Sequence, residues 1–241
     1  MVDATTYANT VDLIIANLEG GYFHPQMLKD GRVTDQRYAA SGETMFGIDR
    51  ANGPSGSPGW NDFWALIDNA NAKDNWSWNY MGGALAGQLQ DLAGQIMLPV
   101  YTDLSNKYLS PAAQALVESD ARLLFNFVYG AWNGSFWFQG FANKINDAVS
   151  QGVTDTSQLT DIAVRARTDS GNSLISQGGA KIASLVTKIP ASVSAPVQAA
   201  QAAVIAVKEN PMLAVFGGLL LMMGGLLFAY YTVNEKEELQ T

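Results

Sequence analysis

Glu19 is preceded by an apolar run and followed by Gly20-Gly21-Tyr22, so its carboxyl stands where a helix gives way to a turn. A carboxylic acid flanked by Leu18 and Tyr22 is in the surroundings that keep it protonated near neutral pH, because burial disfavours the charged form. Such a group can donate a proton to a leaving oxygen. Cleavage of a glycosidic bond needs that proton, and usually a second carboxylate to stabilise the oxocarbenium-like transition state. A Glu at a helix C-terminus also opposes the helix dipole, so its placement calls for compensation. A solvated helix-terminal Glu would have the same spacing, and the residues of this segment alone leave both readings open.

Other chemistries are scarce. The chain has 241 residues, no cysteine and one histidine, His24. Thiolate chemistry, disulfides and multi-histidine metal sites are therefore excluded, and no metal or other cofactor is expected. A serine triad would have to use His24, which lies in no nucleophile-elbow context and reads as a polar loop residue. The net charge of -8, from 14 basic and 22 acidic side chains, argues against nucleic acid as a partner. What remains is carboxylate chemistry.

The elements that must position Glu19 read as mainly helical. Val11, Leu13, Ile14, Ile15 and Leu18 mark a helix over residues 7–18. Residues 24–41 read as a long loop, Thr44 to Ile48 as a short strand, and the Gly/Pro/Ser-rich stretch 52–59 as another loop. Further helices are expected over 61–73 and from Gly82 to about Asp103, with Pro99 kinking or ending the second. Ser110 and Pro111 open another, as N-cap and first-turn residue, that carries Leu116 through Val128. Residues 138–150 and 158–173 complete the head. Trp76, Trp78, Tyr80, Trp132, Phe136, Trp137 and Phe138 are expected mostly in the core, with Trp132-Asn133-Gly134 as a turn at a cleft wall.

Beyond the head the composition changes. The expected organisation is a head over 1–177, an Ala-rich helical stalk over 178–210, a transmembrane helix over 211–232 and a short charged tail over 233–241. Met212 to Tyr231 is twenty residues without a charged side chain, which as a helix covers about 30 Å, the thickness of a bilayer core. The expectation is a single-pass protein with a C-terminal anchor. The opening Met1-Val2-Asp3-Ala4-Thr5-Thr6 has neither the basic nor the apolar region of a secretory signal, so delivery by another route is expected.

Glu19-Gly20-Gly21-Tyr22, followed by Gly42-Glu43-Thr44-Met45-Phe46-Gly47-Ile48, resembles the EGGY and GGxTxxGI pattern of phage-type muramidases in the lysozyme superfamily, the glycoside hydrolase family 108 kind. The run from Leu123 to Gly134 is similar to a later core helix and turn of the same enzymes. The resemblance covers residues 5–175 and implies a lysozyme-like α+β fold with a small β element. It implies Glu19 as the catalytic acid, Thr44 beside the water or sugar, and Tyr22, Trp132 and Asn133 as further substrate-binding residues. The family carries an Asp immediately before its double glycine. Here Ala39-Ala40-Ser41 precedes Gly42, and the second carboxylate is sought among Glu43, Asp49, Asp35 and Asp30.

The implied function is cleavage of the peptidoglycan glycan strand, as a muramidase or a lytic transglycosylase. The expected partners are peptidoglycan, a lipid membrane and other virion proteins. The expected setting is the internal membrane of a tailless phage, where the enzyme would serve entry through the wall. The alternative is a structural virion protein whose lysozyme-like head binds glycan or capsid without cleaving it.

Overall fold

A computed structural model describes residues 2–33, 42–70, 76–77, 79–168 and 173–189. The chain divides into two units, Met1–Ser194 and Ala195–Thr241, and only the first contains described residues. Trp78, Asp35 and the apolar run 212–231 lie outside them. Among the described residues no helix is long and apolar enough to cross a membrane.

The described part is mainly helical, with one small sheet. In chain order it comprises α1 (Ala4–Asn17), β1 (Tyr22–Phe23), α2 (Gln26–Lys29), β2 (Thr44–Met45), β3 (Ile48–Asp49), α3 (Trp60–Asn69), α4 (Ala86–Tyr108), α5 (Pro111–Ser119), α6 (Ala121–Trp132), α7 (Ser135–Ser150), α8 (Thr156–Thr168) and α9 (Ser173–Val186). Asp3 caps α1, its Oδ1 accepting from the Thr6 amide at 2.8 Å. The stripe Tyr7, Val11, Ile14 and Ile15 is buried against α4 and α6. The helix ends with the Leu18 amide donating to the Ile14 carbonyl, and neither Gly20 nor Gly21 needs a positive φ to make the turn.

Helix α6 is the centre of the head. Leu123 through Val128 are all buried, and α1, α4, α5, α7 and α8 surround it. A helix apolar on every face is stable only when enclosed in this way. Phe138 of α7 reaches Phe127 with ring centroids 5.2 Å apart, edge to face.

Two helix boundaries differ from the sequence expectation. The helix opened by Ser110 does not run on to Val128. It stops at Ser119, and Asp120 caps a new helix by accepting from the Arg122 and Leu123 amides at 2.8 and 3.4 Å. An Asp that satisfies two free amides favours a fresh start over continuation. Helix α4 continues past Pro99 to Tyr108. A proline inside a helix costs about 3 kcal/mol. Burial of the Tyr101 ring beyond it, and of Leu109 just past the helix end, keeps the last turns on the core and offsets that cost. The last helix among the described residues, α9, crosses residues 177–178, where the head was expected to end, and buries Ile182 and Val186 in the same core.

The sheet has the order β1-β2-β3, antiparallel throughout, pairing Tyr22 with Met45 and Thr44 with Asp49. Phe46 and Gly47 form the two-residue turn between β2 and β3, with φ of 54° and 71°. Both positive values mark a type I′ turn, the form whose twist matches paired strands. An aromatic residue in this conformation is strained. Two contacts hold it: the Phe46 ring is fully buried, and its carbonyl accepts a hydrogen bond from Trp132 Nε1 at 2.8 Å.

Candidate active site

Three segments distant in sequence meet at the β2–β3 turn. Glu19 comes from the end of α1, Gly47 from the turn, and Trp132 from the last residue of α6. A Cβ built on Gly47 would collide with the Glu19 carboxylate at Oε2 and would lie 3.4 Å from Trp132 Nε1. Only glycine fits: the backbone needs φ of 71°, and the carboxylate occupies the space of a side chain.

Glu19 is half-buried, and its carboxyl forms no hydrogen bond or ion pair with another described residue. Burial alone pushes it up to about 7 from the ordinary 4.5. Tyr129, one turn before Trp132 in α6, lies near enough for the Glu19 charge to add to burial in pushing its phenol up. Behind Tyr129, the buried Arg167 guanidinium packs 4.9 Å from the Tyr129 ring and 4.5 Å from the Phe141 ring. Burial pushes Arg167 down to about 10, so it stays charged at neutral pH.

Beside this cluster lies a cleft of about 400 Å³. Gly47, Asp49 and Asn52 line it from the hairpin side, Met97 and Val100 from α4, and Trp132 from α6. The expected wall residue Trp132 is therefore at the cleft, one residue from Asn133, which is exposed and donates to the Tyr129 carbonyl at 2.7 Å.

The other expected residues fall in different surroundings. Asp49 lines the cleft, but its Oδ1 accepts from the Ala51 and Asn52 amides at 2.8 and 3.1 Å, closing the turn after β3. Thr44 is buried in the central strand. Tyr22 is 2% exposed, with its ring edge-on to Trp76 and its hydroxyl donating to Glu43 Oε1 at 2.6 Å. Glu43 also receives Arg50 Nη1 at 2.8 Å, and Arg50 in turn grips Asp68 with two hydrogen bonds of 2.8 and 2.6 Å. Tyr22 and Glu43 thus brace the hairpin from behind the cleft. Asp30 is exposed and paired with Arg32 at 3.0 Å. His24 is exposed, and its Nδ1 accepts from the Gln26 amide at 3.0 Å. Among the described residues no three His, Asp or Glu side chains come together as a metal site.

Sequence reasoning did not find Met97, Val100 or Tyr129 as part of this site. Their only signal is helical periodicity, which marks a face and not its neighbour.

Two expected outcomes follow from these placements. Glu43→Gln weakens the ion pair with Arg50 and should cost about 1–3 kcal/mol of stability. Thermal melts should show the loss, while turnover per folded molecule stays near wild type. A collapse of turnover with unchanged melting would make Glu43 the second carboxylate instead. The second outcome concerns pH. Glu19 titrates at about 7 when folded and at its ordinary 4.5 when unfolded. Below the lower value both states hold the proton. Between the two, the unfolded chain releases it and the folded chain keeps it, so stability falls as pH rises and levels off above about 7. The loss is about 3 kcal/mol. Urea unfolding of wild type and Glu19→Gln at acid and alkaline pH should show this slope only in the wild type.

No family model matches the chain, and no curated protein or solved structure matches it either.

Proposed function

We propose that the chain is a glycosidase that cleaves the glycan strand of peptidoglycan, with a lysozyme-like head and Glu19 as its acid. The observation that carries this reading is the Glu19 carboxyl: without a cation beside it among the described residues, raised to about 7, and packed on a side-chain-free residue that lines a cleft. A group with that affinity for a proton is mostly protonated at slightly acid pH and gives the proton up as readily as general acid catalysis requires. The resemblance of the Glu19 and Gly42–Ile48 motifs to phage-type muramidases supports the substrate class. The apolar run 212–231 supports attachment to a membrane, and the two together support a virion protein used during entry.

In the proposed reaction, Glu19 protonates the glycosidic oxygen as the bond from that oxygen to the anomeric carbon breaks. The sugar left behind carries oxocarbenium character. In a muramidase, water adds to the anomeric carbon and its proton passes to a carboxylate; Asp49, on the cleft wall, is the nearest candidate. In a transglycosylase, the sugar's own 6-hydroxyl adds instead and returns its proton to Glu19, so no second carboxylate is needed. Asp49 is already engaged by two backbone amides, which favours the second course.

Digestion of purified peptidoglycan with the detergent-solubilised full chain, followed by mass spectrometry of the soluble products, tests the proposal. A 1,6-anhydro end identifies a transglycosylase and a reducing end a muramidase. Binding to the wall without soluble products would overturn the enzymatic reading in favour of a structural, glycan-binding head.

A further inference from the structure

Helices α7 and α8 leave between them a groove of about 750 Å³, larger than the 400 Å³ cleft beside Glu19. Phe136 stands at it 74% exposed, its ring edge-on to Trp137 at 5.2 Å. Phe141 and Ile162 supply apolar surface, and Gln139 and Asn143 supply amides. Lys144 from α7 and Arg165 from α8 are both exposed and line the same groove. Among the described residues neither side chain has a carboxylate partner, and none of those that line the groove is acidic. In a chain with a net charge of -8, a concave surface whose described charged residues are two cations is complementary to an anionic ligand.

The groove lies close to the cleft. Phe136 follows Trp132 by four residues, with Gly134 turning the chain at φ of 103°. Four residues span at most about 14 Å even when extended. One branched polymer can therefore occupy both places.

We propose that the α7–α8 groove binds the stem peptide of peptidoglycan, while the glycan from which that peptide branches lies in the cleft. This rests on the glycan-cleaving reading above. The stem peptide is short, carries free carboxylates and presents alanine methyls. The carboxylates suit Lys144 and Arg165, the methyls suit Phe136, Phe141 and Ile162, and the peptide bonds suit Gln139 and Asn143. A lipid surface fits less well: it would need several apolar side chains projecting from a flat or convex face, and here Phe136 alone projects from the rim of a groove.

The test uses a synthetic tetrapeptide, L-Ala-γ-D-Glu-meso-diaminopimelyl-D-Ala, with no sugar attached, titrated calorimetrically into the detergent-solubilised full chain. Wild type and Glu19→Gln should bind it alike, and Lys144→Gln/Arg165→Gln should bind it about tenfold or more weakly. The same peptide with its carboxylates converted to amides should bind wild type about tenfold more weakly, a comparison that needs no variant. Because the probe contains no glycan and nothing is cleaved, the result is independent of whether the chain proves to be a glycosidase. No binding by wild type, or equal binding of the acid and amide peptides, overturns the proposal. So does loss in the double variant of binding to phosphatidylglycerol vesicles with tetrapeptide binding intact, which would make the groove a lipid site.

Discussion

Replacing Glu19 by Gln is expected to reduce the release of soluble fragments from purified peptidoglycan by about 10²- to 10⁴-fold, the usual worth of a general acid. Gln has the same shape and keeps the contact with Gly47, so the loss would be one of proton donation and not of packing. The variant should be at least as stable as wild type above neutral pH, because the half-buried carboxylate no longer has to ionise against its surroundings. Wild-type activity should decline as pH rises through about 7, where Glu19 loses its proton. Release rates measured from acid to mildly alkaline pH check both points. Undiminished release by Glu19→Gln would remove Glu19 from the chemistry altogether.

Gly47→Ala is expected to disturb both the hairpin and the Glu19 carboxyl. The backbone there has φ of 71°, and the new Cβ would meet the Glu19 carboxylate. The conformation alone costs an alanine about 1 kcal/mol. The collision adds overpacking of about 1–3 kcal/mol. Glu19 must swing away or the hairpin must shift, and either changes where the acid stands relative to the cleft that Gly47 lines, so activity should fall with stability. The two contributions can be separated. In a Glu19→Ala background the carboxylate is gone, and Gly47→Ala should then cost only the conformational part. Denaturant unfolding of the four proteins in this cycle measures the coupling. Additive costs would mean that residues 19 and 47 do not touch.

The difference between what the sequence discloses and what it hides follows the range of the interaction. The stripe of α1 and the Ser110-Pro111 start of α5 are local patterns, and both are legible in the order of the residues alone. The break at Asp120 is also local, but its apolar neighbours on both sides continue one helical rhythm and conceal it. The β2–β3 turn is harder, because type I′ turns normally carry Asn or Asp with Gly, and Phe46 occupies the first place here. Phe46 is held by a hydrogen bond from a residue 86 positions away, which no local rule contains. The same is true of Glu43: beside Thr44 it reads as a second acid, and only the fold brings Tyr22 and Arg50 onto it. Glu19 is legible as a candidate whose apolar neighbours would keep it protonated, but the groups that close around it, Gly47 and the end of α6, are not.

The hydrogen bond from Trp132 to the Phe46 carbonyl has a consequence for the order of synthesis. The site closes only after α6 has been made, although Glu19 and the hairpin emerge from the ribosome long before. Until then Glu19 is an ordinary solvated carboxylate, ionised and unfit to donate a proton near neutral pH. If Glu19 is the acid proposed above, a nascent or prematurely terminated chain that carries the whole motif but stops before residue 132 would be chemically silent. On the proposed reading, the final turn of one helix decides when the acid is ready, 113 residues after Glu19 itself is laid down.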